Sequence, residues 1–115
     1  NRPGAGPYRA LAGEEVRTAL AALPGWEEAR TPEGVPALRR TFRFARYLDG
    51  AAFVRAVADL AERENHHPEI LLGFKQAAVS WWTHKTRGIS DRDAALAAST
   101  QTLHDRSVSG GCAES

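Results

Sequence analysis

Four histidines, His66, His67, His84 and His104, are spread over a 115-residue chain, and the first three fall at junctions between elements. His66 and His67 are adjacent and run into Pro68. His84 closes an alternating stretch, and Asp93 opens the last helical one. Glu62 stands four residues before His66, one helical turn back. Imidazole is the side chain best suited to moving protons near neutral pH, and a neighbouring carboxylate fixes its tautomer and raises its basicity. The residue types therefore suit general acid/base chemistry by His66, His67, His84 and Asp93, with Glu62 in support. Each has a plainer reading as well. A histidine at a helix end is a good C-cap, a lone Glu62 is a solvated helix residue, and Asp93 serves the dipole of its own helix.

Other chemistries fit less well. Histidines and carboxylates are acceptable zinc ligands. Adjacent histidines in an extended segment point apart, however, and there is no His-x3-His pair, so no metal is expected. Cys112 sits in a Gly/Ser-rich tail, no serine occupies a strand-turn-helix elbow, and no Gly-rich phosphate loop is present.

Those residues must be positioned by a small fold. The length suits one domain, expected over residues 8–104 with flexible tails at 1–7 and 105–115. Hydrophobic residues at 43% and charged residues at 25% are those of a soluble globular chain. A net charge of +1 with dispersed arginines points to neither nucleic acid nor an acidic partner. One cysteine excludes a disulfide within a monomer and favours the reducing cytoplasm, and no apolar run is long enough for a membrane span. The chain begins at Asn1 rather than Met, which leaves a preceding leader open.

Helical spacing of Val16, Leu20 and Leu23 predicts a helix within Leu11 to Leu23, stopped by Pro24-Gly25. Trp26 to Arg30 reads as a short strand, and Leu38 to Phe44 as a second, although Arg40 interrupts its apolar face. Asp49 reads as the N-cap of a helix to about Glu64, with Phe53, Val57, Leu60 and Ala61 on its apolar stripe. Gln76 to Lys85 alternates again, which places Trp82 and His84 on one face. Ser90 and Asp93 start an alanine-rich helix, in the manner of a capping box, to about Leu103. This is an α+β order, closed most simply by an antiparallel sheet with helices on one face.

Glu62-x3-His66-His67-Pro68-Glu69, Phe74, Trp82-Thr83-His84 and Gly88-Ile89-Ser90-Asp91-Arg92-Asp93 resemble the signature of the pterin-4a-carbinolamine dehydratase family. Looser similarity extends from about Leu11 to Leu103. The resemblance implies a four-stranded antiparallel sheet backed by helices, assembled as a homodimer or homotetramer. It implies a cofactor-free dehydration of a 4a-hydroxytetrahydropterin to the quinonoid dihydropterin. His66 and His84 would be the acid/base pair and His67 would hold the pterin, while Asp93 and Glu62 would orient the histidines. Glu62, Glu69, Phe74, Trp82, Thr83 and Arg92 would contact substrate.

The chain departs from that signature in places. Trp82 replaces a residue that is small in the family, Asn65 stands where aspartate is common, Lys75 replaces a frequent asparagine, and Lys85 and Arg87 add positive charge after His84. Trp82 beside His84 is expected either to fill the space of a pterin ring or to give it a stacking surface, filling being the stronger expectation. The family also contains protein-binding members, among them a dimerisation cofactor of a homeodomain transcription factor and RuBisCO assembly factors of carboxysome-bearing bacteria and plants. An exposed aromatic is what such a contact would use.

Overall fold

The computed structural model describes residues 9–114, and the side chains of residues 9–106. In chain order it contains α1 (Gly13–Ala21), β1 (Glu27–Arg30), β2 (Pro36–Arg43), α2 (Tyr47–Glu64), β3 (Glu69–Leu72), β4 (Gln76–Trp81) and α3 (Asp91–Glu114). The strands form one antiparallel sheet in the order β1-β2-β4-β3. Leu38 pairs with Trp81 and Phe42 with Ala77, so these side chains share a face. They pack on Phe53, Val57, Leu60 and Ala61 of α2 and on Leu96 and Ala97 of α3, all buried. The expected stripe of α2 is the one that forms the core. Among the described residues no helix is long and apolar enough to cross a membrane.

Arg40, the charged residue on the apolar face of β2, is accommodated at the margin of the core. Its guanidinium donates to the carbonyl of Pro24 at 3.0 Å and to Gln101 Oε1, which also accepts the Trp26 indole N–H. Gly25 has φ +90°, the left-handed backbone that makes glycine the fitting residue for the turn after α1.

Three local expectations are corrected. Arg46, with extended backbone, is the N-cap of α2. Asp49 lies inside the first turn, where it pairs with Arg46 at 2.9 Å, and an acid there gains from the helix dipole without being the cap. The alternating stretch beginning at Gln76 leaves the sheet after Trp81 instead of continuing to Lys85. Continuing the register with β2 would set Thr83 against Pro36, and proline cannot donate to a ladder. The fourth strand of the expected sheet is β3, a short edge strand that follows Pro68 directly. Finally, α3 does not stop near Leu103 but runs to Glu114. Each residue added to an established helix gains one backbone hydrogen bond, which the glycines weaken without forbidding. The expected tail at 1–7 lies outside the described residues.

His104 is half-buried against three phenylalanine rings. Its centroid lies 4.7 Å from Phe42, 5.6 Å from Phe44 and 5.8 Å from Phe53. Both ring nitrogens are shielded from solvent and have no hydrogen-bond partner among the described residues. Burial pushes its pKa below the ordinary 6.5, the Arg40 guanidinium adds to that, and Asp105, 3.7 Å from Nδ1, opposes it weakly. With the folded pKa depressed, the unfolded chain takes up the proton first as pH falls, so stability is complete above about pH 6.5 and declines below it. We expect urea midpoints to fall between pH 7 and pH 5 more steeply for the wild type than for His104→Phe; parallel pH profiles would contradict this placement of the ring.

Candidate functional site

The site is built where three elements end together. α2 closes at Asn65, which adopts the left-handed conformation (φ 52°, ψ 44°), and the next amide, His66 N–H, reaches back to the carbonyl of Ala61 at 3.1 Å. Asparagine tolerates this geometry, which turns the chain sharply out of the helix. The β3–β4 register begins at Glu69 opposite Ser80, so its continuation sets His67 near Trp82 and His66 near Thr83. Thr83 pairs with Gly88 across a tight turn that carries His84. Ser90 then leads into α3 and brings Asp93 underneath.

His66 is buried, 8% exposed, and its Nε2 lies 2.7 Å from Oδ1 of Asp93, which is fully buried. The other oxygen, Oδ2, accepts from the Thr83 hydroxyl at 2.7 Å, the Ser90 amide at 2.8 Å and the Ser90 hydroxyl at 3.1 Å. The Ser90 amide contact is the reciprocal half of the expected capping box, with an aspartate in the acidic position. Thr83 and Ser90 both donate to the carboxylate, and His66 completes the set with N–H at Nε2. The neutral ring therefore keeps its lone pair at Nδ1. One face of the His66 ring lies parallel to Trp81, with 5.8 Å between centroids and 4° between planes.

Glu62 does not meet His66, despite the one-turn spacing. The helix ends before His66, and it is His67 Nε2 that Glu62 Oε2 approaches, at 2.6 Å, in a solvent-exposed pair. Two histidine–carboxylate pairs thus sit side by side, one buried and one open. His84 is exposed on its turn. Asn65, His66, His67, Trp82, Thr83, His84 and Lys85 line one cleft of about 390 Å³, toward the lower end of the roughly 300–1,000 Å³ of ligand sites. Trp82 is half-buried on its wall. A wider groove of about 520 Å³ lies between α1 and α3 but contains no histidine, with Arg9 and Glu15 paired inside it at 2.7 Å. Titratable chemistry favours the smaller cleft.

Three residues expected at the site are placed away from the cleft wall. Phe74 is 73% exposed in the β3–β4 turn, at the opposite end of those strands from Trp82. Glu69 is exposed on edge strand β3. Arg92 reaches across to α2, donating to the Glu64 carbonyl at 2.9 Å with the Glu64 carboxylate at 3.6 Å. Trp81 and Ser90 are additions to the candidate residues. Trp81 reads in sequence as an ordinary core aromatic, and only its contact with a histidine from another element reveals more. Among the described residues no cluster of three or more His, Cys, Asp or Glu is arranged to hold a metal ion.

Fold and cleft together define an α+β domain with two histidine–carboxylate pairs beside a cleft at one end of its sheet. The family model described as pterin 4 alpha carbinolamine dehydratase matches residues 9–103. The chain is 42% identical, over 78% of its length and 80% of the relative's, to a Marinobacter nauticus protein provisionally named pterin-4-alpha-carbinolamine dehydratase. A Saccharophagus degradans protein with the same provisional name is 38% identical over 80% of both chains. Among solved structures, a transcriptional coactivator/pterin dehydratase from Brucella melitensis superposes with a TM-score of 0.75 at 28% identity, covering 83% of this chain and 98% of that one. A pterin dehydratase-like protein identified as a RuBisCO assembly factor in the alpha-carboxysome gives 0.56 at 30% identity, covering 69% and 88%. The chain belongs to the pterin-4a-carbinolamine dehydratase family.

Proposed function

We propose that the chain dehydrates a pterin 4a-carbinolamine, as a 4a-hydroxytetrahydrobiopterin dehydratase acting without a cofactor. The observation that carries this reading is the presence of His66, His67 and His84 on one cleft, two of them oriented by their own carboxylates. In the reaction the C4a–O bond breaks and the hydroxyl leaves as water, taking a proton from one imidazolium. A ring N–H of the pterin gives its proton to the other imidazole, and the electron pair left behind forms the C=N bond of the quinonoid product. His66 and His84 fill these two roles. Asp93 holds His66 in the tautomer that leaves Nδ1 for proton exchange, and His67, oriented by Glu62, holds the pterin. Carbinolamines are primed to expel water, so general acid/base help of about 10²–10⁴-fold is most of what is required. On this reading the protein works in the cytoplasm as a homodimer or homotetramer.

Trp82 favours a second reading. A large aromatic on the cleft wall where the family has a small residue narrows the site, and the likeness to a RuBisCO assembly factor gives a non-catalytic role for such a chain. In this reading the domain binds a protein client, RuBisCO, and turnover is weak. The two readings separate on Trp82→Ser. If the indole obstructs the cleft, the serine variant turns over enzymatically generated 4a-hydroxytetrahydropterin faster than the wild type. If Trp82 is a stacking surface, the variant is slower and its KM rises, which is the outcome the dehydratase reading predicts.

A further inference from the structure

We infer that Trp81 is a positioning residue for His66, setting the plane of the ring from which that histidine exchanges protons. The hydrogen bond at Nε2 holds the edge of the imidazole. A flat surface against the ring holds its plane. Trp81 supplies it: the two ring planes are 4° apart at 5.8 Å, and the indole is fully buried.

The indole is itself pinned. Its Nε1–H donates to Thr100 Oγ1 at 3.0 Å, and the fully buried Thr100 hydroxyl donates to the Leu96 carbonyl at 2.7 Å. Rotating the indole would leave a buried N–H unpaired, which is costly. Asp93 and Thr100 are seven residues apart on α3, two turns along one helix face. One rigid helix therefore supports His66 twice, at its edge through Asp93 and at its face through Thr100 and Trp81. Neither Trp81 nor Thr100 lines the cleft, so neither has a part in holding substrate.

The kinetic consequence rests on the dehydratase reading; the geometric one does not. Three variants test it, each compared with wild type by circular dichroism for folding, by turnover of 4a-hydroxytetrahydropterin, and by NMR of the His66 ring protons. Trp81→Leu is expected to lower kcat by about ten- to hundredfold, the scale of a small misplacement at a reacting group, with KM little changed. The His66 resonances should lose the ring-current displacement the indole imposes. Trp81→Phe keeps a flat surface and should retain most of kcat. Thr100→Val keeps the core volume but unpins the indole, and should fall between the two. Thr100→Val also guards against a Trp81→Leu protein that fails to fold. A folded Trp81→Leu or Thr100→Val variant with wild-type kcat would overturn the proposal, as would His66 resonances unmoved by Trp81→Phe and Thr100→Val. A wild type without turnover would defeat the dehydratase reading alone, and the resonances would still decide the positioning role.

Discussion

Asp93→Ala is expected to be strongly destabilising, costing about 2–5 kcal/mol, because buried donors lose their acceptor at about 1–3 kcal/mol each. The carboxylate is fully buried and is held by His66, Thr83 and Ser90, the last through both its amide and its hydroxyl. Removing it takes the acceptor from His66 Nε2 and the Ser90 amide, while the Thr83 and Ser90 hydroxyls, 2.7 Å apart, still have each other, and it strips α3 of the contact that closes its first turn. Against a total of roughly 5–15 kcal/mol for a domain of this kind, such a loss leaves little margin. Asp93→Asn keeps the shape, but its amide nitrogen must face a donor, so an intermediate loss of about 1–3 kcal/mol follows. Urea unfolding monitored by circular dichroism reads both, with the midpoint shifting at constant slope. An Asp93→Ala midpoint close to wild type would mean that the buried network contributes nothing net.

His84→Ala should show the opposite profile. His84 is exposed on the Thr83–Gly88 turn, and its main-chain carbonyl, which accepts from the Arg87 amide at 3.1 Å, is kept in the alanine variant. Stability is therefore expected to stay within about 0.5 kcal/mol, as for surface substitutions generally. Turnover is expected to fall by about 10²–10⁴-fold, the contribution of one acid/base group. His67→Ala should instead raise KM, since the Glu62–His67 pair is assigned to holding the pterin. Asp93 thus couples folding to chemistry, while His84 is separable from folding. A large stability change in His84→Ala would show that the turn depends on the imidazole.

Much of the fold was legible because burial leaves a period in the sequence. The stripe of Phe53, Val57, Leu60 and Ala61 and the alternation around Leu38 and Phe42 both report a buried face, and all six residues are in the core. Where the period is short or absent, the reading failed. β3 spans only four residues after a proline, and α3 continues into a Ser/Gly-rich stretch that carries no stop strong enough to end it. Arg40 broke a pattern because its partners, Gln101 and the Pro24 carbonyl, are distant in sequence.

The site was legible in its members but not in its pairings. The order of residues identified His66, His67, Trp82, Thr83 and His84, and the fold brings them to one cleft. Which carboxylate serves which histidine was hidden. The one-turn spacing suggested Glu62 with His66, whereas the left-handed Asn65 redirects the chain so that Glu62 meets His67 and Asp93 meets His66 across 27 residues. Phe74 lies at the far end of the sheet because strand direction, not motif order, decides which end of a hairpin faces the cleft. Trp81 was hidden for a related reason: a buried aromatic on a strand has the same sequence pattern whether its neighbour is a leucine or an imidazole.

The most direct test of the account is the rate at which quinonoid dihydropterin forms from enzymatically generated 4a-hydroxytetrahydropterin, with the wild-type chain added in catalytic amount, set beside the spontaneous rate and the rate with His84→Ala. The predicted result is clear acceleration by the wild type that is lost in the folded His84→Ala variant. Equal rates for the two proteins, or a wild type no faster than buffer, would contradict it.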